Sequence, residues 1–179
     1  MIEAGENTTE LEPIDGERRA LVVAETARYV RLAAELYQQP LPMLPVCFDL
    51  LGRASGMYKI KGEQRWFRYN PYIFALNFEE HLLNTVAHEV AHYVVDCRHG
   101  LVRVKPHGAE WRGVMEAFGV EASRTFDHGL AGVPQRSYRQ VSYRCDCGEQ
   151  PLGIRRHNKV LRAQARYRCR VCDVELRPV

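Results

Sequence analysis

Apolar residues recur at three- and four-residue steps from Val23 through Ala27, Val30 and Ala34 to Tyr37, which predicts an amphipathic helix over Glu17–Gln39. Pro40, Pro42 and Pro45 end that helix and form a stiff connector. Three short extended runs follow, Cys47–Leu51, Gly56–Lys61 and Gln64–Tyr69. Gly52 and Gly62 fall between them where turns need glycine, so an antiparallel meander is expected, broken off by Asn70-Pro71. The strongest helical pattern is His81–Cys97, where Leu82, Leu83, Val86, Val90, Tyr93 and Val94 make one broad apolar face and Gly100 is placed as a stop. A shorter helix is expected over Ala109–Phe118, ending at Gly119. Thr125–Ser137 reads as loop and linker, and Tyr138–Val179 as short strands and turns around cysteines. The pattern is α+β, in three parts: a polar, disordered extension over residues 1–16, a helix-and-sheet domain over 17–133, and a small subdomain over 134–179.

Composition narrows the setting. A chain of 179 residues, 46% hydrophobic, suits one compact domain with a small appendage. No apolar run reaches membrane-spanning length, and the acidic start lacks the features of a secretory signal, so a cytoplasmic protein with no membrane partner is expected. In a reducing compartment the six cysteines are read as thiols or metal ligands rather than a disulfide frame. Cys47 and Cys97 stand alone among apolar residues and are read as core or near-surface positions. The net charge of +3 is uneven: residues 134–179 carry 11 Arg or Lys against 4 acids. That is either a solvated tail or a patch for a polyanion such as nucleic acid.

The informative string is His88-Glu89-Val90-Ala91-His92. Residues four apart share a helix face, so both imidazoles can reach one ion, and Glu89 lies beside them without having to be a ligand. Neutral imidazoles suit Zn2+, which lowers the pKa of a bound water toward about 7. Glu89 can take the proton of that water and pass it to a leaving amine. A catalytic zinc usually has three protein ligands, and the third should come from further along the chain. His107, in Pro106-His107-Gly108 before the next helix, is favoured, because Gly108 allows close backbone approach; Glu110 and Glu116 are the alternatives. His81 and His99 are expected to face solvent, as is His128 in its loop, and Tyr93 to point into the core.

The second cluster is Cys145-x-Cys147 with Cys169-x-x-Cys172, which fits a four-thiolate structural zinc site that can hold together a subdomain too small for its own core. The CxC half is tighter than the usual CxxC, so His157 could replace Cys145 or Cys147. Arg155, Arg156, Lys159, Arg162, Arg166, Arg168 and Arg170 surround the cluster, with Tyr143 and Tyr167 interleaved.

Taken together, HEVAH, Pro106-His107-Gly108-Ala109-Glu110-Trp111, Tyr143-Arg-Cys-Asp-Cys, Arg155-Arg156-His157-Asn158 and Tyr167-Arg-Cys-Arg-Val-Cys resemble the SprT family over about Leu21–Leu176, and the catalytic part is similar to the Spartan proteases of eukaryotes. The resemblance implies a minimal zincin domain followed by a zinc-ribbon-like subdomain. It implies a zinc metallopeptidase with His88, His92 and His107 on a catalytic Zn2+, Glu89 as general base, and Cys145, Cys147, Cys169 and Cys172 on a structural Zn2+. In Spartan-type relatives the substrates are proteins crosslinked to DNA, so a protein substrate and a DNA contact through Arg155, Arg156, Lys159 and Arg162 are expected, in a monomer. The Arg65–Tyr69 run is expected to take substrate backbone as an added strand. The competing expectation is a non-catalytic nucleic-acid or transcription-complex module, against which Glu89 argues, since a vestigial metal site needs no proton acceptor.

Overall fold

The computed structural model describes residues 11–100, 102, 104–122, 130–135 and 137–179. It divides into two compact units, one up to Gln135 and one from residue 136 onward. The fold is mixed α+β with two small sheets. Among the described residues no helix is long and apolar enough to cross a membrane.

The first unit opens with helix α1, Gly16–Leu36. Asp15 caps it by accepting the Arg18 N–H at 2.8 Å, and Val22, Thr26, Tyr29, Val30 and Ala33 form its buried stripe. The helix ends short of the expected Gln39, with Gln38 in a left-handed conformation (φ 49°). Most of the extension expected to be disordered lies outside the described residues. Ile14 does not fit that expectation: it is buried, and its N–H donates to the Pro71 carbonyl at 3.0 Å.

The first sheet consists of β1 (Val46–Cys47), β2 (Gly56–Lys61) and β3 (Gln64–Tyr69), in the order β1-β3-β2. β2 and β3 make the expected hairpin, with Tyr58 opposite Phe67. The meander fails at β1, which crosses over and pairs parallel to β3, Val46 opposite Phe67. The physical reason is hydrophobic: β3 carries Phe67 and Tyr69, both fully buried, and so takes the centre, while β2, with Lys59 and Lys61, takes an edge. Within Arg65–Tyr69, Phe67 and Arg68 are thus paired to β1 as well as to β2, and the edges of the sheet are β1 and β2.

Asn70 does more than break the pattern. Its side chain accepts the Tyr72 and Ile73 N–H groups at 3.1 and 3.3 Å and starts helix α2, Pro71–Leu76, with Pro71 in the first turn. A single turn, α3 (Phe78–Glu80), leads into a wide π turn over His81–Thr85 and then helix α4, Val86–His99, stopped at Gly100. α4 is the centre of the unit and packs against α1, β2 and α5, Ala109–Ala117. Its Val86, Val90, Tyr93, Val94 and Val95 are all buried, each contributing roughly 1.5–3 kcal/mol by leaving water.

The second unit is a sheet of β4 (Gln140–Cys145), β5 (Gly148–Gly153) and β6 (Arg177–Pro178), in the order β5-β4-β6, with helix α6 over Ile154–Leu161. Its interior is Tyr143, Leu152, Cys145 and Cys169, and α6 buries no residue. So small an interior needs a staple to be stable alone.

Candidate metal centres

α4 presents His88 and His92 one turn apart at the floor of an open cleft of about 370 Å³, and His107 reaches the same point from just before α5. The three Nε2 atoms form a triangle with sides of 3.2 Å (His88–His92), 3.0 Å (His92–His107) and 2.9 Å (His88–His107). A neutral imidazole Nε2 is either a donor or an acceptor, so three mutual contacts cannot all be hydrogen bonds. Three lone pairs aimed at one point are satisfied together by a cation. Nitrogens held at about 2.0–2.1 Å from a tetrahedral ion stand about 3.3 Å apart, close to the observed sides. The three histidines can hold a metal ion.

The surroundings keep His92 neutral and the three rings fixed. Burial, reinforced by His88 and His107, pushes the His92 imidazole down to about 3, which leaves it unprotonated and ready to bind. The Trp111 indole sits against all three rings, with centroid distances of 4.7, 5.9 and 4.8 Å to His88, His92 and His107, and its N–H donates to the His88 carbonyl at 3.3 Å. His107 holds a left-handed conformation (φ 55°) that places its ring ahead of α5. Gly108 is needed for the close approach foreseen in the sequence, since a Cβ there would lie 2.8 Å from the Lys105 carbonyl oxygen. Glu110 and Glu116 stay outside the metal-ligating group.

Glu89 lies beside the triad, 6% exposed, and lines the same cleft. Burial pushes its carboxyl up to about 8, opposed by the Tyr58 N–H, which donates to Oε2 at 2.6 Å. Around it stands a frame that sequence reasoning missed. The Tyr58 hydroxyl and the Arg65 Nε–H both donate to Asp96 Oδ2 at 2.8 Å, tying β2 and β3 to α4. Aromatic and charged residues of ordinary composition carried no signal for this; only the register of β2 against β3 brings them to Asp96.

His81 is a correction. It is fully buried, with its Nδ1 2.9 Å from Thr85 Oγ1 and its ring 5.3 Å from that of Phe74. The π turn over His81–Thr85 breaks the helical period before His88, and His81 is covered by α1 and by Phe74 of α2. His99 is exposed as expected, and His128 lies outside the described residues. Tyr93 is buried, its hydroxyl donating to the Pro42 carbonyl at 2.9 Å.

In the second unit the Sγ atoms of Cys145, Cys147, Cys169 and Cys172 lie within 4.8 Å of one another, a set that one tetrahedral ion with metal–sulfur bonds of about 2.3 Å can draw together. The Gln150 amide donates to both Cys145 Sγ (3.2 Å) and Cys169 Sγ (3.1 Å), and the Val171 N–H points at Cys169 Sγ at 3.4 Å. The backbone N–H groups of Cys172 and Val171, with Gln150, pull the Cys169 thiol down to about 6, whereas the contact with Cys172 pushes Cys147 up to about 12. His157 does not replace a cysteine: its Nδ1 is 3.0 Å from the Tyr143 hydroxyl, and it stands outside the sulfur cluster.

These two clusters occur in a chain with clear relatives. The SprT-like family model matches residues 26–134. The chain belongs to the SprT-like family. It is similar to "Protein SprT" of Vibrio parahaemolyticus, 39% identical over 148 residues that cover 82% of this chain and 86% of the relative. It is also similar to "Protein SprT" of Erwinia tasmaniensis, 40% identical over 168 residues, or 89% and 94% of the two chains. A third SprT relative, from Shewanella oneidensis, is 35% identical over 145 residues, 80% and 88% of the two chains. The SprT-like match takes in all three histidines and Glu89, and the longer alignment covers most of the chain.

α6 carries the cations singled out in the sequence. Arg155, Arg156 and Lys159 lie on this helix and Arg162 at its C-terminal cap, and all four are exposed. Arg155, Lys159 and Arg162 are spaced to share one face. The Arg155 and Arg156 guanidinium groups stand over the Tyr138 and Tyr167 rings at 5.3 and 5.8 Å. Arg144, Arg166 and Arg168 are instead engaged by Glu149, Glu175 and Asp173.

Proposed function

We propose that this SprT-like protein is a zinc-dependent endopeptidase with a zincin-like first unit, in which His88, His92 and His107 hold the catalytic Zn2+ and Glu89 is the general base. The observation that carries the reading is the nitrogen triangle with a buried carboxylate beside it in an open cleft. Zinc bound there supplies a Lewis acid and lowers the cost of ionising water at neutral pH. Glu89 then takes a proton from the attacking water at a carboxylate oxygen and delivers it to the nitrogen of the leaving amine. Its raised proton affinity suits that shuttle, because a base that must later act as an acid works best when its pKa lies near the working pH.

The outer edge of β2 lines the cleft through Gly56, Met57 and Tyr58, so an extended substrate can add to it as a further strand. Backbone pairing of that kind reads little side-chain sequence and suits a peptidase of broad specificity. Cys145, Cys147, Cys169 and Cys172 hold a second, structural Zn2+, and the basic face of α6 contacts DNA and brings DNA-associated proteins to the cleft. The protein acts as a cytoplasmic monomer.

The test is zinc content per chain in wild type and His107→Ala, together with casein cleavage with and without DNA. The reading expects two zinc ions, falling to one in the variant with loss of cleavage. One zinc ion unaffected by His107→Ala would leave only the cysteine site and favour a non-catalytic binding module.

A further inference from the structure

Gly56 opens β2 at the point where the strand passes over Glu89. A Cβ built at Gly56 would lie 2.7 Å from Glu89 Cγ, 2.9 Å from Glu89 Oε1 and 2.8 Å from Thr85 Cγ2. All three are closer than real Cβ contacts run, and none of these partners can step aside cheaply. Glu89 is buried and held by the Tyr58 N–H at 2.6 Å. Thr85 is buried, with its hydroxyl 2.9 Å from His81 Nδ1, so turning its methyl away would break that contact. Gly56 has no positive φ that would itself call for glycine, so the requirement comes from the approach of the carboxylate.

We infer that Gly56 and the Tyr58 backbone N–H are positioning residues for Glu89. The missing side chain of the first β2 residue leaves a slot in which the Glu89 side chain lies, and the Tyr58 amide two residues later fixes which oxygen faces the strand. The frame is stiff because Tyr58 is anchored twice, by its N–H to Glu89 and by its hydroxyl to Asp96. The same N–H lies on the outer edge of β2, since it points at α4 instead of β3. The edge that accepts substrate is thus the edge that aims the base. The catalytic meaning of this inference rests on the proposed peptidase reading; the contact itself does not.

The experiment separates the two. In the full chain with both metals bound, the Tyr58 amide proton resonance is followed by NMR in wild type, Glu89→Gln and Gly56→Ala, alongside casein cleavage. Gly113→Ala, where an added Cβ meets nothing within 4 Å, serves as the control for a neutral glycine change. A charge-assisted hydrogen bond places the wild-type amide proton downfield, and it is expected to move upfield in Glu89→Gln and Gly56→Ala but not in Gly113→Ala. Gly56→Ala is further expected to lower kcat about 10- to 100-fold with KM and zinc content held, as a misplaced catalytic group does. An unmoved Tyr58 resonance in Gly56→Ala, or a wild-type kcat in that variant, would overturn the inference. A wild type that cuts nothing while the resonance moves as expected would sink the peptidase reading and leave the positioning contact standing.

Discussion

Glu89 is asked to be buried and to be charged, and the two demands oppose each other. Burial raises its pKa to about 8 from an ordinary value of 4.5, with the Tyr58 N–H pulling back. A carboxyl whose folded pKa is raised binds more protons in the native than in the unfolded state between those two values, so stability falls as pH rises from about 4.5 through 8. In metal-free protein, melting of wild type and Glu89→Gln across pH 5 to 9 should therefore diverge in the variant's favour, as read by Tm. With zinc bound, the same variant should keep its metal and lose about 10²- to 10⁴-fold in kcat, the ordinary worth of a general base. At this scale the sequence was most legible: a helical i, i+4 histidine pair with a glutamate beside it is written directly in the spacing, and Pro106-His107-Gly108 marked the third nitrogen. His81 was not legible, because its burial depends on α2 and α1 folding over it, which local periodicity does not report.

At the scale of elements, the helices followed from their apolar stripes, whereas strand order did not. Local pattern shows that a run is extended, not which neighbour it pairs with, and β1 was assigned the wrong side of the sheet. The order follows the burial of Phe67 and Tyr69 on one face of β3, which places that strand between the other two, a property of the assembled layer. The misplacement mattered, because it made β3 an edge strand when it is the central one. The link between sheet and α4 is the Tyr58–Asp96–Arg65 junction, in which one largely buried carboxylate oxygen takes both donors. Asp96→Ala strands those donors and should destabilise the first unit by about 1–3 kcal/mol in urea unfolding, with a larger loss of kcat than of zinc, since the strand that aims Glu89 is loosened while the histidines are not. α6 was read as turns although Ile154, His157, Val160 and Leu161 recur at helical spacing; a stripe only two turns long, none of it fully buried, is hard to tell from the short runs around it.

At the scale of the whole molecule, the proposed metals would give each unit a stability tied to its own ion. The second unit has so few buried residues that removing its metal should unfold it; circular dichroism and zinc release on chelation should change together there while helix signal from α1 and α4 persists. Gln150→Leu removes the amide that serves two sulfurs and should weaken zinc binding at that site about 10- to 100-fold, measured by competition with a chromophoric chelator in a His107→Ala background. The four cysteines were legible from spacing, but Gln150 was not, because an outer partner of a metal site has no spacing rule. The first unit has a large core and should survive chelation, yet on the proposed reading it too would be coupled to its ion through His107. That residue meets the histidines of α4 from a left-handed backbone conformation just before α5, a strain that an ion held by all three would offset. Any ion that binds only the native chain stabilises it in proportion to the logarithm of its concentration. If the proposed Zn2+ is held there, the clasp between α4 and α5 is expected to tighten with the logarithm of free zinc, and metal-free protein to open first at residue 107 and free the start of α5.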